Sequence, residues 1–276
     1  MRRVGDPRRW LVALSVLGAC AAGAAACGRP PAEHPPATAA GHPEAAPGVA
    51  SPAVGAAGAP DAAAGGATDG SSLTEAVDLL RAGRWQAAAA AATGGATPYG
   101  AAMEHYVRAA AAAGLQQVAN ADAELAAFEA ARKAVPAGTR VSAANGAAEV
   151  LDVARLDLAA RVAWLKGDVS AALLGWGRAA VVEDRLAPAD PPDWRLPVRE
   201  RLGAALLAMK NGAQAEGVFR AELERRPASA RAMHGLAESL ALEGRADEAA
   251  RARAGFEAAW TGTGDPLPLG ASARRP

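Results

Sequence analysis

Residues 202–249, LGAALLAMKNGAQAEGVFRAELERRPASARAMHGLAESLALEGRADEA, decide how the chain folds. Apolar residues recur there at helical spacing, single glycines break the helices, and no alternating strand pattern occurs. A shift of 34 residues lays the segment on itself: Leu202, Gly203, Leu206 and Ala215 fall on Leu236, Ala237, Leu240 and Ala249, with Gly244 at a turn. A fixed period decides more about the fold than any local motif, and this one predicts stacked helical hairpins.

Leu202, Gly203, Leu206, Ala215, Phe219 and Pro227 resemble the tetratricopeptide (TPR) pattern. In that family a small residue lets two helices approach, an alanine sits at their crossing, a large apolar side chain fills the groove and a proline ends the unit. Upstream, Gly83, Trp85 and Ala88, then Val118 and Ala121 with Gln116 at the turn, then Gly167, Val169 and Ala172, supply looser copies. The resemblance implies an all-α, right-handed superhelical array, a TPR-like α-solenoid of about five antiparallel helix hairpins over 73–260. Residues 136–145 (PAGTRVSAAN) and 184–197 (DRLAPADPPDWRLP) interrupt the period and are predicted to be inserted loops. EDRL (183–186), PPDW (191–194) and PVRERLGAALL (197–207) look like the C-terminal part of bacterial TPR-containing proteins of unsettled function.

The rest of the chain differs in texture. Residues 1–9 carry four arginines and one aspartate, and residues 10–27, WLVALSVLGACAAGAAAC, are uncharged and apolar. A basic start followed by a short apolar run ending in small residues is the layout of a signal peptide over 1–27. The run barely reaches the length of a membrane span and is alanine-rich in its second half, which favours cleavage over retention. Leu17, Gly18, Ala19 and Cys20 resemble the lipobox of bacterial lipoproteins, which implies lipidation at Cys20; Ala24 to Cys27 is a weaker match that makes Cys27 the alternative. An ordinary signal peptide cut after an alanine run accounts for the same letters. Lipidation implies an exported, lipid-anchored protein of the cell envelope, facing the periplasm or the surface. Ala21 in place of aspartate favours the outer membrane slightly.

Residues 28–72 are rich in Pro, Ala and Gly, with two valines as the only larger aliphatics, and read as a disordered tether. His34 and His42 lie in it without a neighbouring ligand type and read as solvated. Residues 261–276 read as a flexible tail.

Composition narrows function by exclusion. Hydrophobic residues make up 51% but aromatics 4%, so the apolar count is largely alanine, suited to close-packed helices. Lys plus Arg equals Asp plus Glu at 29 each, leaving no cationic excess for nucleic acid. Both cysteines precede residue 28, so the folded part has no thiol chemistry. No HExxH, CxxC, GxSxG or P-loop motif occurs, and the expectation is a binding protein without catalytic residues, cofactor or metal.

Candidate partner-binding residues come from two places. Trp194 and Arg195, in the second loop, offer an aromatic and a cation to a partner; the alternative is that Trp194 folds back over the seam between hairpins while Asp193 caps the next helix. Arg155, Arg161, Arg199 and Arg201 would line a concave surface and suit a carboxylate, alongside Asp78, Arg81, Glu104, Arg108 and Glu238; a solvated face gives the same letters. Trp85, Trp164, Trp176 and Trp260 occupy helical positions and read as core or end-cap residues. The leading expectation is a membrane-anchored interaction scaffold binding an envelope protein or peptide. The alternative is an accessory protein holding a small ligand or metal ion in the groove, with His105 and His234 near Met103 and Met233.

Overall fold

The structure, a computed structural model, describes residues 69–93 and 95–270. The signal peptide with Cys20 and Cys27, the tether to residue 68 and the last six residues lie outside the described residues. Within them are ten helices and no strand: α1 (Asp69–Arg81), α2 (Trp85–Ala91), α3 (Pro98–Gly114), α4 (Val118–Lys133), α5 (Ala147–Leu165), α6 (Val169–Glu183), α7 (Val198–Ala208), α8 (Gly212–Arg225), α9 (Ala230–Leu242) and α10 (Ala246–Ala259). No described helix is long and apolar enough to cross a membrane.

Local chemistry sets several of the starts. Thr97 caps α3, accepting from the Gly100 amide, with Pro98 at the first helical position. Asp168, Asn211 and Ser229 do the same for α6, α8 and α9. Five connections share one turn. Gly83, Gln116, Gly167, Lys210 and Gly244 all have positive φ, between 60° and 78°. At each, the next residue's amide reaches back to the helix it leaves, as Arg84 does to Leu79 and Asn211 to Leu206. Such a left-handed step closes the last carbonyls of one helix and reverses the chain. Five residues after each comes a buried alanine: Ala88, Ala121, Ala172, Ala215 and Ala249. A side chain this small lets the two helices of each pair approach closely.

Each helix packs on its neighbour in chain order. Across that order α1 packs on α3, α3 on α5 and α7 on α9, whereas no two even-numbered helices pack comparably. The odd-numbered helices therefore sit on the inside of a curve. The curve brings segments distant in sequence together: Arg81 of α1 donates to Glu200 of α7 at 2.7 Å, and Arg195 donates to both oxygens of Asp78 at 2.9 Å.

The two larger of three buried clusters make most of the core. One runs from Ala76 to Ala205 around Tyr106, Phe128, Leu158 and Trp176; the other groups Leu206, Phe219, Leu236 and Leu240, with Leu173 and Leu202 against both. Phe219 shows how closely α7 and α9 approach. A Cβ on Gly203 or Gly235 would come within 2.3 or 2.2 Å of its ring, so both positions admit only glycine while the ring stays in place. Burying a side chain of that size contributes about 2–3 kcal/mol.

The two inserted loops tie to each other. Asn145 Nδ2 donates to the Ala187 carbonyl and to Asp193, its Oδ1 accepts the Ala187 amide, and Ser142 Oγ donates to Asp193 Oδ2 at 2.7 Å. Asp193 is thus a brace between loops and not the helix cap expected from its position; α7 starts after Pro197. The segment from 261 also departs from a free tail. Leu267 and Leu269 pack against the two clusters, and Arg231 Nη1 donates to the Pro266 carbonyl.

Candidate functional site

A network of charges sits where five segments meet. Asp157 of α5 is fully buried. Its Oδ2 accepts from Tyr106 of α3 at 2.5 Å and from Arg161 Nε at 2.7 Å; its Oδ1 accepts from Trp176 of α6 at 3.0 Å. Arg201 Nε of α7 stands 3.3 Å away, close enough for an ion pair without hydrogen-bond alignment. Burial pushes the Asp157 carboxyl up, but Arg161, Arg201 and the Tyr106 hydroxyl together outweigh it and hold the group below its ordinary value. Burial raises the Tyr106 phenol well above its own. Trp194 closes the network from the second loop, its ring edge-on to Tyr106 with centroids 5.5 Å apart and its indole nitrogen donating to the Leu196 carbonyl.

That placement accounts for most of the residues the sequence nominated for a partner. Trp194 is buried and covers the core, as its alternative reading had it, because an indole with a main-chain acceptor two residues on gains more by covering apolar surface than by facing water. Arg161 and Arg201 are buried on Asp157 and turn inward. Arg199 chelates Asp184 through two nitrogens, and that pair holds the Asp184 carboxyl low. Arg195 is held by Asp78, and Arg155, half-buried, lies 3.8 Å from Asp152. Each of these arginines has a carboxylate of its own chain.

A second buried cluster lies behind α7. Arg226 donates to Glu222 and Glu183, both at 2.7 Å, and Glu183 also accepts the Val198 amide. Burial raises both carboxyls despite the guanidinium. Every polar partner here is structural: Glu183 caps the start of α7 from the end of α6.

The histidines are apart and locally engaged. His105 pairs with Glu124 at 2.7 Å on α4, and His234 lies tilted against Phe256 with centroids 4.9 Å apart, where burial lowers its pKa. Among the described residues no group of three His, Cys, Asp or Glu is arranged to hold a metal ion.

The open feature is a groove on the inside of the curve. A cavity of about 950 Å³ lies between Trp85 beside the α1–α2 turn, Trp164 of α5, the end of α7 with the turn after it (Ala204 to Lys210), and residues 265–270. Arg81, Glu200, Arg201 and Arg231 floor its continuation under Pro266 to Pro268. Arg231, on α9, makes no ion pair among the described residues; it lies 5.2 Å from the Trp260 ring and binds the Pro266 carbonyl. Burial lowers its pKa, Glu200 raises it and Arg81 lowers it further. Sequence reasoning passed over Arg231 because nothing marks it within its helix. The available signal was DPLPLG (265–270), whose leucines between prolines suit a segment that packs on a surface.

No family model matches the chain, and neither a curated protein nor a solved structure is similar to it.

Proposed function

We propose that the chain is a protein- or peptide-binding scaffold of the bacterial cell envelope, built as a TPR-like, right-handed array of five helix hairpins and held at a membrane by a lipid on Cys20, with Cys27 as the alternative. The observation that carries the binding part is the groove on the inner side of the odd-numbered helices, about 950 Å³ in volume and lined by Trp85, Trp164 and Met209. Five left-handed turns, each followed after five residues by a buried alanine, support the repeat reading. An array of this kind offers a long surface at little cost in core, because each unit buries its apolar face against the next. The arginines nominated from the sequence pair with carboxylates of the chain itself; binding falls to the aromatic and aliphatic side chains of the groove.

Capture from solubilised envelopes with wild type and Met209→Glu tests the reading. Met209 is exposed at the rim, so the substitution leaves the core alone. Partners retained by wild type and lost with Met209→Glu support the groove; the same partners with both remove it. Mass spectrometry of the mature N-terminus, with Cys20→Ala released from the membrane fraction, tests the anchor.

A further inference from the structure

Three helices bring an arginine to one place: Arg81 ends α1, and Arg201 and Arg231 lie in the first turns of α7 and α9. They line a void of about 10 Å³ roofed by Pro266, Leu267 and Pro268, and Glu200 is the one carboxylate that borders it. Glu200 is already engaged, accepting from Arg81 at 2.7 Å and from Ser229 at 3.4 Å. Behind Arg201, Asp157 serves Arg161, Tyr106 and Trp176 as well. Four guanidiniums, those of Arg81, Arg161, Arg201 and Arg231, thus meet two buried carboxylates. A third carboxylate, Asp265, stands exposed at the edge; it accepts the Leu267 amide at 2.8 Å and acts on Arg231 without reaching ion-pair distance.

Hydrogen-bond donors are left over along with the charge. The Arg201 side chain is 9% exposed, and among the described residues its guanidinium makes no hydrogen bond; Nε lies 3.3 Å from Asp157 but out of line. Arg81 Nε is buried without a partner, and Arg231 donates to the Pro266 carbonyl alone. Buried charge is tolerated where it is paired and its donors are met. Around this void a further negative charge meets both conditions.

We infer that a single monatomic anion of the chloride class binds between Arg81, Arg201 and Arg231, under Pro266 to Pro268. Size sets the class, since about 10 Å³ is room for one water-sized particle and too little for a phosphate or a partner's carboxylate. A monatomic anion also accepts from several directions at once, as guanidiniums on three helices require. Arg81 meets the charge of Glu200, so the anion answers the excess on Arg201 and Arg231. Because Arg231 also holds the Pro266 carbonyl, the bound anion ties α7 and α9 to the segment that walls the larger cavity. The site stands whatever the groove itself binds.

The test compares the full chain in sodium chloride and in sodium gluconate of equal ionic strength, gluconate being too large for the void. With chloride tenfold above its dissociation constant, Tm should be about 3–5 °C higher than in gluconate. The chlorine NMR line should broaden with wild type and with Arg178→Met, which removes an exposed cation elsewhere, and not with Arg231→Met. Equal Tm in the two salts, with a line no broader for wild type than for Arg231→Met, overturns the inference. A chloride effect that appears only in Asp265→Asn would make Asp265 the counter-charge and also overturn it. Crystals of the unaltered chain grown in bromide read the site without any variant: a bromide peak between Arg201 and Arg231 is expected, and its absence refutes the site.

Discussion

Pro268 rests on Gly83: the glycine is left-handed at φ 71°, and a methyl there would sit 2.7 Å from the proline ring. Gly83→Ala therefore meets two penalties, the left-handed conformation and the clash, and should cost about 1–3 kcal/mol. Pro268→Gly removes the second penalty only. In a double-mutant cycle read by urea denaturation the two changes should couple by at least about 0.5 kcal/mol, and additivity would mean that the tail does not bear on this turn.

Removing the charge of Asp157 should be among the most damaging polar changes. Asp157→Asn leaves Arg161 and Arg201 buried without their shared carboxylate, and breaking a buried pair in this way costs about 3–5 kcal/mol. The pH dependence follows from the depressed carboxyl. Its contribution is fully present above the ordinary value of 3.8 and fades as pH falls through the lower folded value. The stability gap between wild type and Asp157→Asn should be constant from pH 7 to 5 and shrink below pH 4; a gap that widens on acidification would contradict this sign.

Gln116 and Lys210 hold the same left-handed turn as three glycines, at φ 61° and 60°. Side chains at such angles carry roughly 1–2 kcal/mol of strain, partly offset by the greater freedom that glycine brings to the unfolded chain. Gln116→Gly and Lys210→Gly should each raise stability by about 0.5–1 kcal/mol in thermal melts. Gly167→Ala at the equivalent turn should lower it.

Phe219 between Gly203 and Gly235 predicts a size-compensation effect. Phe219→Ala should cost about 3–5 kcal/mol through the cavity it leaves. Gly203→Ala should cost about 1–3 kcal/mol by overpacking and become milder in a Phe219→Leu background. Equal penalties in both backgrounds would show that the ring is free to move aside.

How much of this was legible in the sequence depended on how local the signal was. Alanines fixed five residues after a turn announce themselves by spacing, because a crossing of two helices tolerates one methyl wherever it occurs, and Ala88, Ala121, Ala172, Ala215 and Ala249 were all readable. Gly203 and Phe219 likewise followed from their register. Charges were harder. Arg161 and Arg201 have the letters of a solvated face, and only the fold shows that Asp157, 44 residues before Arg201, turns both inward. Asp193 has the position of a helix cap, but Ser142 and Asn145, from the other loop, claim its carboxylate. Residues 265–270 were read as a tail because proline and glycine mark both loose chain and chain that packs without regular structure, and composition does not separate the two.

The bridges from α1 to α7 and to the loop before it, Arg81 to Glu200 and Asp78 to Arg195, join residues more than a hundred positions apart, and the segment after α10 returns to the first turn at Gly83. Arrays whose units touch only their neighbours peel from an end, one unit after another. Here neither end is independent of the middle, since melting α1 costs α7 its partners and frees the last segment as well. The helical region should therefore lose its structure in one cooperative step, with calorimetric and van't Hoff enthalpies in agreement.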